Sequence, residues 1–430
     1  MSTGLLHRIY SLSVSAVLPF VAGGLLLSKR GRRRFSERFG GWTRVGPVGW
    51  WLHGASVGEV QGLLPFIAAI KEACSGEGIL LTATSPTGLD RGAPAVDAAR
   101  LLPLDAPLCV RRALTCVEAR RLVIGETELW PVLLHEVQSA GRPVHIINGR
   151  VSDYTFRWYR LARELFGPLI GRCVSISVAD EEQQERFLAL GANPKSLHVT
   201  GHTKYDTTPR FSGDGARERA RQKFFPGIDA HTSLVVLGSL REGEELAWFA
   251  ALLRAWAAGI ELRVIVAPRH AEKFEFFWAA LSRLGRKAVR WSSGEVSREQ
   301  GHEVLLLDTM GLLEEAYAAS DLAFVGATLV DIGGHNPLEP AMYRVPVVVG
   351  PHTSVVRSTV SRMREQGGII EVTDANTVFE VLQRLGAGDL SLQQGARAGY
   401  RVFSSYAGAS KRVLEVIHHS EAESKPHQTT

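Results

Sequence analysis

Apolar residues follow two rhythms along this chain. From Ile9 to Leu27, 19 residues pass without a formal charge, close to the length that crosses a bilayer core. From residue 49 onward the apolar runs shorten to three to six residues and alternate with helix-like stretches. A first series reads Gly49–Leu52, Ile79–Thr84, Leu122–Ile124, Val144–Ile147 and Val174–Val178. A second reads Leu234–Gly238, Leu262–Ala267, Val304–Leu307, Leu322–Val325 and Val345–Val349. Short buried runs separated by helices predict parallel sheets built from βαβ units, and two series predict two doubly wound α/β domains. The expected organisation is an anchor and polybasic segment over 1–34, a first domain over 35–208, a linker over 209–230, a second domain over 231–418 and a disordered polar tail over 419–430. The linker is placed at Pro209–Ala230 because Gly, Pro and charge gather there.

Composition agrees: 430 residues exceed one ordinary core, and 45% hydrophobic with 22% charged residues is normal for a globular protein. The net charge of +5 is unevenly placed, because residues 1–50 carry eight Lys or Arg against the single acid Glu37. Nucleic-acid binding would spread cations over a domain face instead, so no nucleic-acid partner is expected. Lys29, Arg30, Arg32, Arg33, Arg34 and Arg38 directly follow the apolar run. Such a cluster holds the following chain on the cytoplasmic side and attracts anionic lipid headgroups. Pro19, Gly23 and Gly24 weaken a straight span, which leaves an interfacial helix as an alternative. A signal peptide fits less well, with only Arg8 as a charged start and no A-x-A site. Cys74, Cys109, Cys116 and Cys173 form no CxxC pair, which speaks against a zinc site or disulfide framework and for a reducing compartment.

In open α/β sheets ligands bind beyond the carboxyl ends of strands, where the candidate chemistry lies. His53-Gly54-Ala55-Ser56-Val57-Gly58-Glu59 puts Glu59 in a first helical turn, where the helix dipole favours its ionised form. Gly125-Glu126-Thr127-Glu128-Leu129-Trp130-Pro131 sets two acids at a strand end; Pro131 can start the next helix with one acid as its cap. Lys204, in Gly201-His202-Thr203-Lys204, can neutralise charge on a departing phosphate, or be a solvated surface lysine. In the second half, the turn Gly238–Glu245 offers backbone N–H groups to an anion. Pro268-Arg269-His270 and Asp308-Thr309-Met310-Gly311-Leu312 end the next strands. Gly333-Gly334-His335-Asn336-Pro337-Leu338-Glu339 combines a flexible turn with Asn336 as helix cap, and Glu339 can accept from ribose hydroxyls.

Taken in order, H-G-A-S-V-G-E, E-T-E-L-W-P, A-P-R-H, D-T-M-G and G-G-H-N-P-L-E-P resemble the 3-deoxy-D-manno-octulosonic acid (Kdo) transferases of lipopolysaccharide core biosynthesis. The resemblance runs from the N-terminal anchor to about residue 370. It implies a GT-B fold, two Rossmann-like domains facing a cleft, and an inverting transfer of Kdo from CMP-Kdo to the lipid A precursor, lipid IVA. It implies no metal and no cofactor, and a place at the cytoplasmic face of the inner membrane beside anionic lipids. By the same resemblance Glu59 matches the catalytic base, and Glu126 and Lys204 match the residues that stabilise the transition state. Pro268, Arg269, Met310, Gly311, Leu312, Asn336, Pro337, Leu338 and Glu339 match the CMP-binding segments. The first domain is then the acceptor's and the second the donor's. Four departures bear on donor contacts: Leu312 stands where Glu is common, His202 for Asn, Leu240-Arg241 for Thr-His, and Ala327-Thr328 for Gly-Ser. A GT-B transferase using a UDP-sugar on another lipid, or a non-catalytic two-domain sugar- or nucleotide-binding protein, are the alternatives.

Overall fold

The computed structural model describes residues 3–206, 209–297 and 301–424. It divides into two compact units, Met1–Asp206 with Tyr406–Thr430 and Thr207–Ser405. The first unit holds β1 (Val45–His53), β2 (Ile79–Ala83), β3 (Ala98–Leu101), β4 (Val117–Gly125), β5 (Val144–Gly149), β6 (Ser175–Val178) and β7 (Leu197–Val199). They form one parallel sheet in the order β3-β2-β1-β4-β5-β6-β7. The second unit holds β8 (Ser233–Leu240), β9 (Leu262–Pro268), β10 (Ala288–Arg290), β11 (Val304–Leu306), β12 (Leu322–Val325), β13 (Val347–Val349) and β14 (Ile370–Glu371). Its parallel order is β10-β11-β9-β8-β12-β13-β14. Chain order reverses between β1 and β4 in one sheet and between β8 and β12 in the other, the two places where such sheets open a crevice.

Every strand near these reversals is covered on both faces, as parallel sheets require. Trp50 and Leu52 face one core of the first unit with Phe66 and Val123, while Trp51 faces the other with Leu122 and Ile146. In the second unit Val235 and Leu237 pack with Trp248, and Leu234 and Val236 with Tyr317. The alternation is the two-residue period of a strand buried on both sides.

Three boundaries differ from the expected ones. The expected linker contains a helix, Ala216–Phe224, whose Ala220 and Phe224 belong to the second unit's core. Its Arg221 is buried against Thr232 O and Asp321 Oδ2, both at 2.6 Å. The second unit ends at Ser405, before the expected residue 418. The chain then returns to the first unit through helix Ala409–Ser424, whose Val413, Leu414 and Ile417 join Trp50 and Leu52. Residues 419–424 of the expected disordered tail are the end of this helix, and 425–430 lie outside the described residues. Glu421 supplies the physical reason: it pairs with the buried Arg121 at 2.7 Å and with His145 at 3.1 Å. The polar last turn is therefore tied down.

Among the described residues Gly4–Leu27 is the one stretch long and apolar enough, by length and composition, to cross a membrane. Its helix, Thr3–Leu27, runs through Pro19 without a break. Tyr10 and Val14 lean on the first unit's core, and Tyr10 Oη donates to Asp105 at 3.1 Å, while Leu12, Phe20 and Leu27 stay exposed. Part of the basic cluster is engaged with protein: Arg33 pairs with Asp90 and Arg34 with Glu37.

Candidate active site

At the β1/β4 reversal the first unit gathers three glutamates. His53 ends β1 fully buried, its Nδ1 3.1 Å from Thr82 O, and burial depresses its pKa to about 4. The turn then enters helix Val57–Ala73, capped by Ser56, which accepts from Glu59 N at 3.2 Å. Glu59 Oε2 accepts in return from Ala55 N at 2.7 Å. Placement in the first turn led us to expect a firmly ionised acid; burial instead pushes its pKa up, Glu126 adds repulsion, and the Ala55 and Ser56 hydrogen bonds oppose them. Half-burial thus outweighs the helix terminus, and a carboxylate with a raised pKa is a stronger base.

Glu126 follows β4 in the left-handed region, φ +58°, with its N–H held by Ile147 O at 2.8 Å. A non-glycine residue held there stores strain of the kind that collects at functional sites. Burial raises its pKa, but His202, Lys204 and Arg150 together lower it below the ordinary value. His202 Nε2 is 3.9 Å from Glu126 Oε1, too far for a close hydrogen bond. Burial holds His202 near a pKa of about 4, and its Nδ1 accepts from Lys204 N at 3.2 Å, so it is neutral with its proton on Nε2. Lys204 and Arg150 therefore supply the positive field. Glu128 is pushed up to about 7, first by burial and then by Glu59 and Glu126. Neither Glu126 nor Glu128 caps the helix Pro131–Ser139, contrary to expectation. Asp105 does so from another loop, accepting from Val132 N and Leu133 N at 3.1 and 2.9 Å.

Sequence reasoning missed what holds Lys204. Asn148 exchanges two 2.8 Å hydrogen bonds with Thr203, whose hydroxyl donates to Gly62 O at 2.5 Å. A Cβ on Gly62 would stand 3.3 Å from His202 Cε1 and 3.9 Å from Lys204 Cβ. The short 3₁₀ turn Thr203–Asp206 is thereby locked onto the Glu59 helix. Only the left-handed Asn148, at φ +57°, hinted at this in chemical type, since Asn tolerates that region.

In the second unit the turn after β8 already holds an anion of its own. Glu244 is fully buried, and its carboxylate accepts from Arg241 N, Ala327 N, Thr328 N and Leu329 N, each at 2.9 Å. The backbone N–H groups expected to bind a ligand anion there are used internally to join the β8 and β12 turns. Pro268 ends β9, and Arg269 N donates to Leu240 O at 3.2 Å, leaving the guanidinium exposed. Met310 is exposed and Gly311 sits at φ +92°. Asn336 Oδ1 accepts from Leu338 N at 3.2 Å, but the helix it starts, Leu338–Ala341, is one turn, and Pro337 sits before it as the N-cap residue. Glu339 is exposed and shares the field at the buried Tyr317 with Arg269.

Residues 33–207 match the family described as 3-deoxy-D-manno-octulosonic-acid transferase (kdotransferase). The 3-deoxy-D-manno-octulosonic acid transferase of Bordetella pertussis is 30% identical over 383 residues, 85% of this chain and 86% of that protein. That of Chlamydophila psittaci is 31% identical over 332 residues, 75% of this chain and 74% of that protein. The chain belongs to the Kdo transferase family. The Haemophilus influenzae protein of the same name, 29% identical, extends the match to 93% of this chain and 94% of its own length. A UDP-GlcNAc 2-epimerase from Neisseria meningitidis shares the fold, with TM-score 0.61, 14% identity and coverage of 87% of this chain and 100% of its own. That likeness shows the fold alone, the GT-B class of two doubly wound units.

Two of the four departures from the Kdo transferase pattern, Leu312 and Ala327-Thr328, have local reasons. Leu312 packs against the cluster containing Phe224 and Tyr317, so an apolar side chain there adds to the core. Ala327 sits at φ +63°, a conformation that costs a residue with a Cβ more than glycine, and Glu244 holds it there through its N–H. Thr328 accepts from Gly350 N at 2.8 Å and donates to Val325 O at 2.7 Å, bonds that the common Ser also supplies.

Proposed function

We propose that this Kdo transferase moves Kdo from CMP-Kdo to the lipid A precursor, lipid IVA, with inversion at the anomeric carbon and without a metal ion. The observation that carries the reading is the acid cluster at the β1/β4 reversal, with Glu59 half-buried, raised in pKa and facing the field of Glu126. A lipid hydroxyl is a poor nucleophile, and Glu59 takes its proton as the oxygen attacks the anomeric carbon. CMP leaves from the opposite face and gains charge on its phosphate. Lys204 and Glu126 stabilise that transition state, and Arg269 favours the departing phosphate. The first unit serves the acceptor. The second serves the nucleotide through Pro268, Arg269, the Met310–Leu312 turn and Asn336–Glu339, with Leu312 contributing backbone because its side chain packs inward.

The N-terminal helix and its basic flank are assigned to the cytoplasmic face of the inner membrane, next to anionic lipid. A second feature favours this: helix Asp153–Leu161 exposes Tyr154, Trp158 and Leu161, with Arg157 and Arg160 between them. Aromatic side chains beside arginines suit a headgroup region. The deciding experiment is Glu59→Gln, which keeps the shape and removes the proton acceptor. Turnover should fall about 10²–10⁴-fold with CMP affinity unchanged; turnover within about threefold of wild type removes Glu59 as the base.

A further inference from the structure

Around Arg269, itself matched to the nucleotide, the second unit carries a cluster of cationic and imidazole side chains from three strand ends. Arg241 follows β8, Arg269 and His270 follow β9, and His335 lies in the turn after β12, its N–H held by Gly326 O at 3.3 Å. The Arg241 guanidinium lies against His270 Nε2. His335 feels Arg269, Arg241 and His270: burial first, then these three, hold its pKa at about 4. Its Nε2 is buried without a hydrogen-bond partner. The acids nearby are engaged elsewhere or stand at the margin. Glu242 pairs with Lys273 at 2.5 Å, Glu272 is 3.7 Å from His270 Nδ1, and Glu244 is enclosed by backbone N–H groups. Among the described residues neither Arg241 nor Arg269 has an ion-pair partner. Glu244 fixes the backbone of Arg241, so this guanidinium starts from a rigid turn.

Two positive charges without an ion-pair partner among the described residues, with Glu339 sharing the field beside Arg269 and His335 Nε2 unsatisfied there, suit a ligand with two adjacent negative groups. An octulosonic acid joined to CMP is such a ligand, since its carboxylate and the phosphate oxygen share one anomeric carbon. We propose that Arg241, oriented by His270 and seconded by His335, binds the carboxylate of the transferred sugar, while Arg269 serves the phosphate. This rests on CMP-Kdo being the donor. A guanidinium presents two parallel N–H groups to a carboxylate, which the family's common His at this position cannot do. The same contact discriminates against nucleotide sugars that lack an acid, because they would leave the cations unmatched.

The test uses the full-length protein and compares KM for CMP-Kdo with the inhibition constant of CMP, which carries the phosphate but no sugar carboxylate. Arg241→Gln should raise KM about 10- to 100-fold, the range of a hydrogen-bonded charge contact, with CMP inhibition within about threefold of wild type. Arg241→His, the family residue, should recover part of the loss, whereas Arg269→Ala should weaken CMP-Kdo and CMP together. Equal losses for CMP and CMP-Kdo in Arg241→Gln would make Arg241 a phosphate ligand and overturn the proposal. An unchanged KM would overturn it as well. Wild-type protein that neither turns over CMP-Kdo nor responds to CMP would instead refute the donor assignment itself.

Discussion

Glu128 offers a stability test that needs no substrate. It follows Glu126 by two residues, is half-buried, and is pushed from 4.5 up to about 7 by burial and by Glu59 and Glu126. A carboxyl raised in the folded state binds its proton more tightly there than in the unfolded chain. Its contribution is therefore fully present below about pH 4 and is lost as pH rises through about 7. A shift of that size corresponds to about 3 kcal/mol at most; solvent screening of the exposed part reduces it to roughly 1–2 kcal/mol. Glu128→Gln is neutral at every pH and nearly isosteric. At pH 5 the variant should match wild type, and at pH 8.5 it should be more stable by about that 1–2 kcal/mol. Melting temperatures of both proteins from pH 5 to 9, in the same detergent, read the difference directly. Activity adds a second readout: with one negative charge removed, Glu59 should titrate lower and the acidic limb of kcat/KM should move to lower pH. A stability difference that is flat across the pH range would refute the coupling of the three acids.

Three further outcomes are expected. Glu421→Ala leaves Arg121, stacked 4.1 Å over Trp50, with Glu77 as its remaining ion-pair partner, and should cost about 1–3 kcal/mol in thermal melts; an unchanged melting temperature would mean the last helix turn is not an anchor. Excess EDTA should leave transfer intact, because Lys204 and Arg269 supply the positive charge; activity lost on chelation and restored by magnesium would overturn that assignment. Deleting Met1–Arg34 should release the protein from anionic vesicles while the second unit keeps its melting behaviour and the first, which loses the Tyr10 and Val14 contacts, melts earlier; a wild-type protein that never partitions with membranes would sink the anchor.

The central strands were legible because each is an uninterrupted apolar run: Leu234–Val236, Val264–Val266 and Leu322–Val325 need burial on both faces. The edge strands β3, β7, β10 and β14 were not anticipated, since Ala98–Leu101 or Ile370–Glu371 carry too little apolar surface to stand out and owe their form to a neighbour. The same reason hid the course of the C-terminus. Val413, Leu414 and Ile417 announce an amphipathic helix, but nothing local says which sheet it covers. At the candidate site, residue types and spacing singled out Glu59, the pair Glu126 and Glu128, and Lys204, and the family resemblance chose Glu126 and supplied the roles. Sequence could not supply the sign of the Glu59 pKa shift, because that depends on how deeply the helix start is buried and on an acid 67 positions away. Nor could it show that the β8 turn would be closed by Glu244, six residues after the strand residue Gly238.

Glu59 and Glu244 are the same local device with different outcomes. Each lies near the start of a helix, beyond the first strand of its sheet, and each turns its carboxylate back onto the N–H groups of the preceding turn. Glu244 is enclosed completely, with one backbone N–H from its own turn and three from the turn after β12 on its two oxygens and no exposed surface, which leaves no room for a ligand. Glu59 takes one short backbone bond, from Ala55, and keeps part of its surface in solvent. The amide substitution separates these states. In Glu59→Gln the carbonyl oxygen still accepts from Ala55, so the fold should be nearly indifferent while turnover falls. In Glu244→Gln the amide must turn its NH₂ toward two backbone donors that then lose their acceptor, at about 1–3 kcal/mol each. That variant should melt earlier and loosen the turn that carries Arg241, with donor affinity falling alongside. Had Glu59 been a structural cap like Glu244, its substitution too would show first in melting temperature. A loss of turnover in Glu59→Gln without a loss of stability is the behaviour that a cap alone cannot produce.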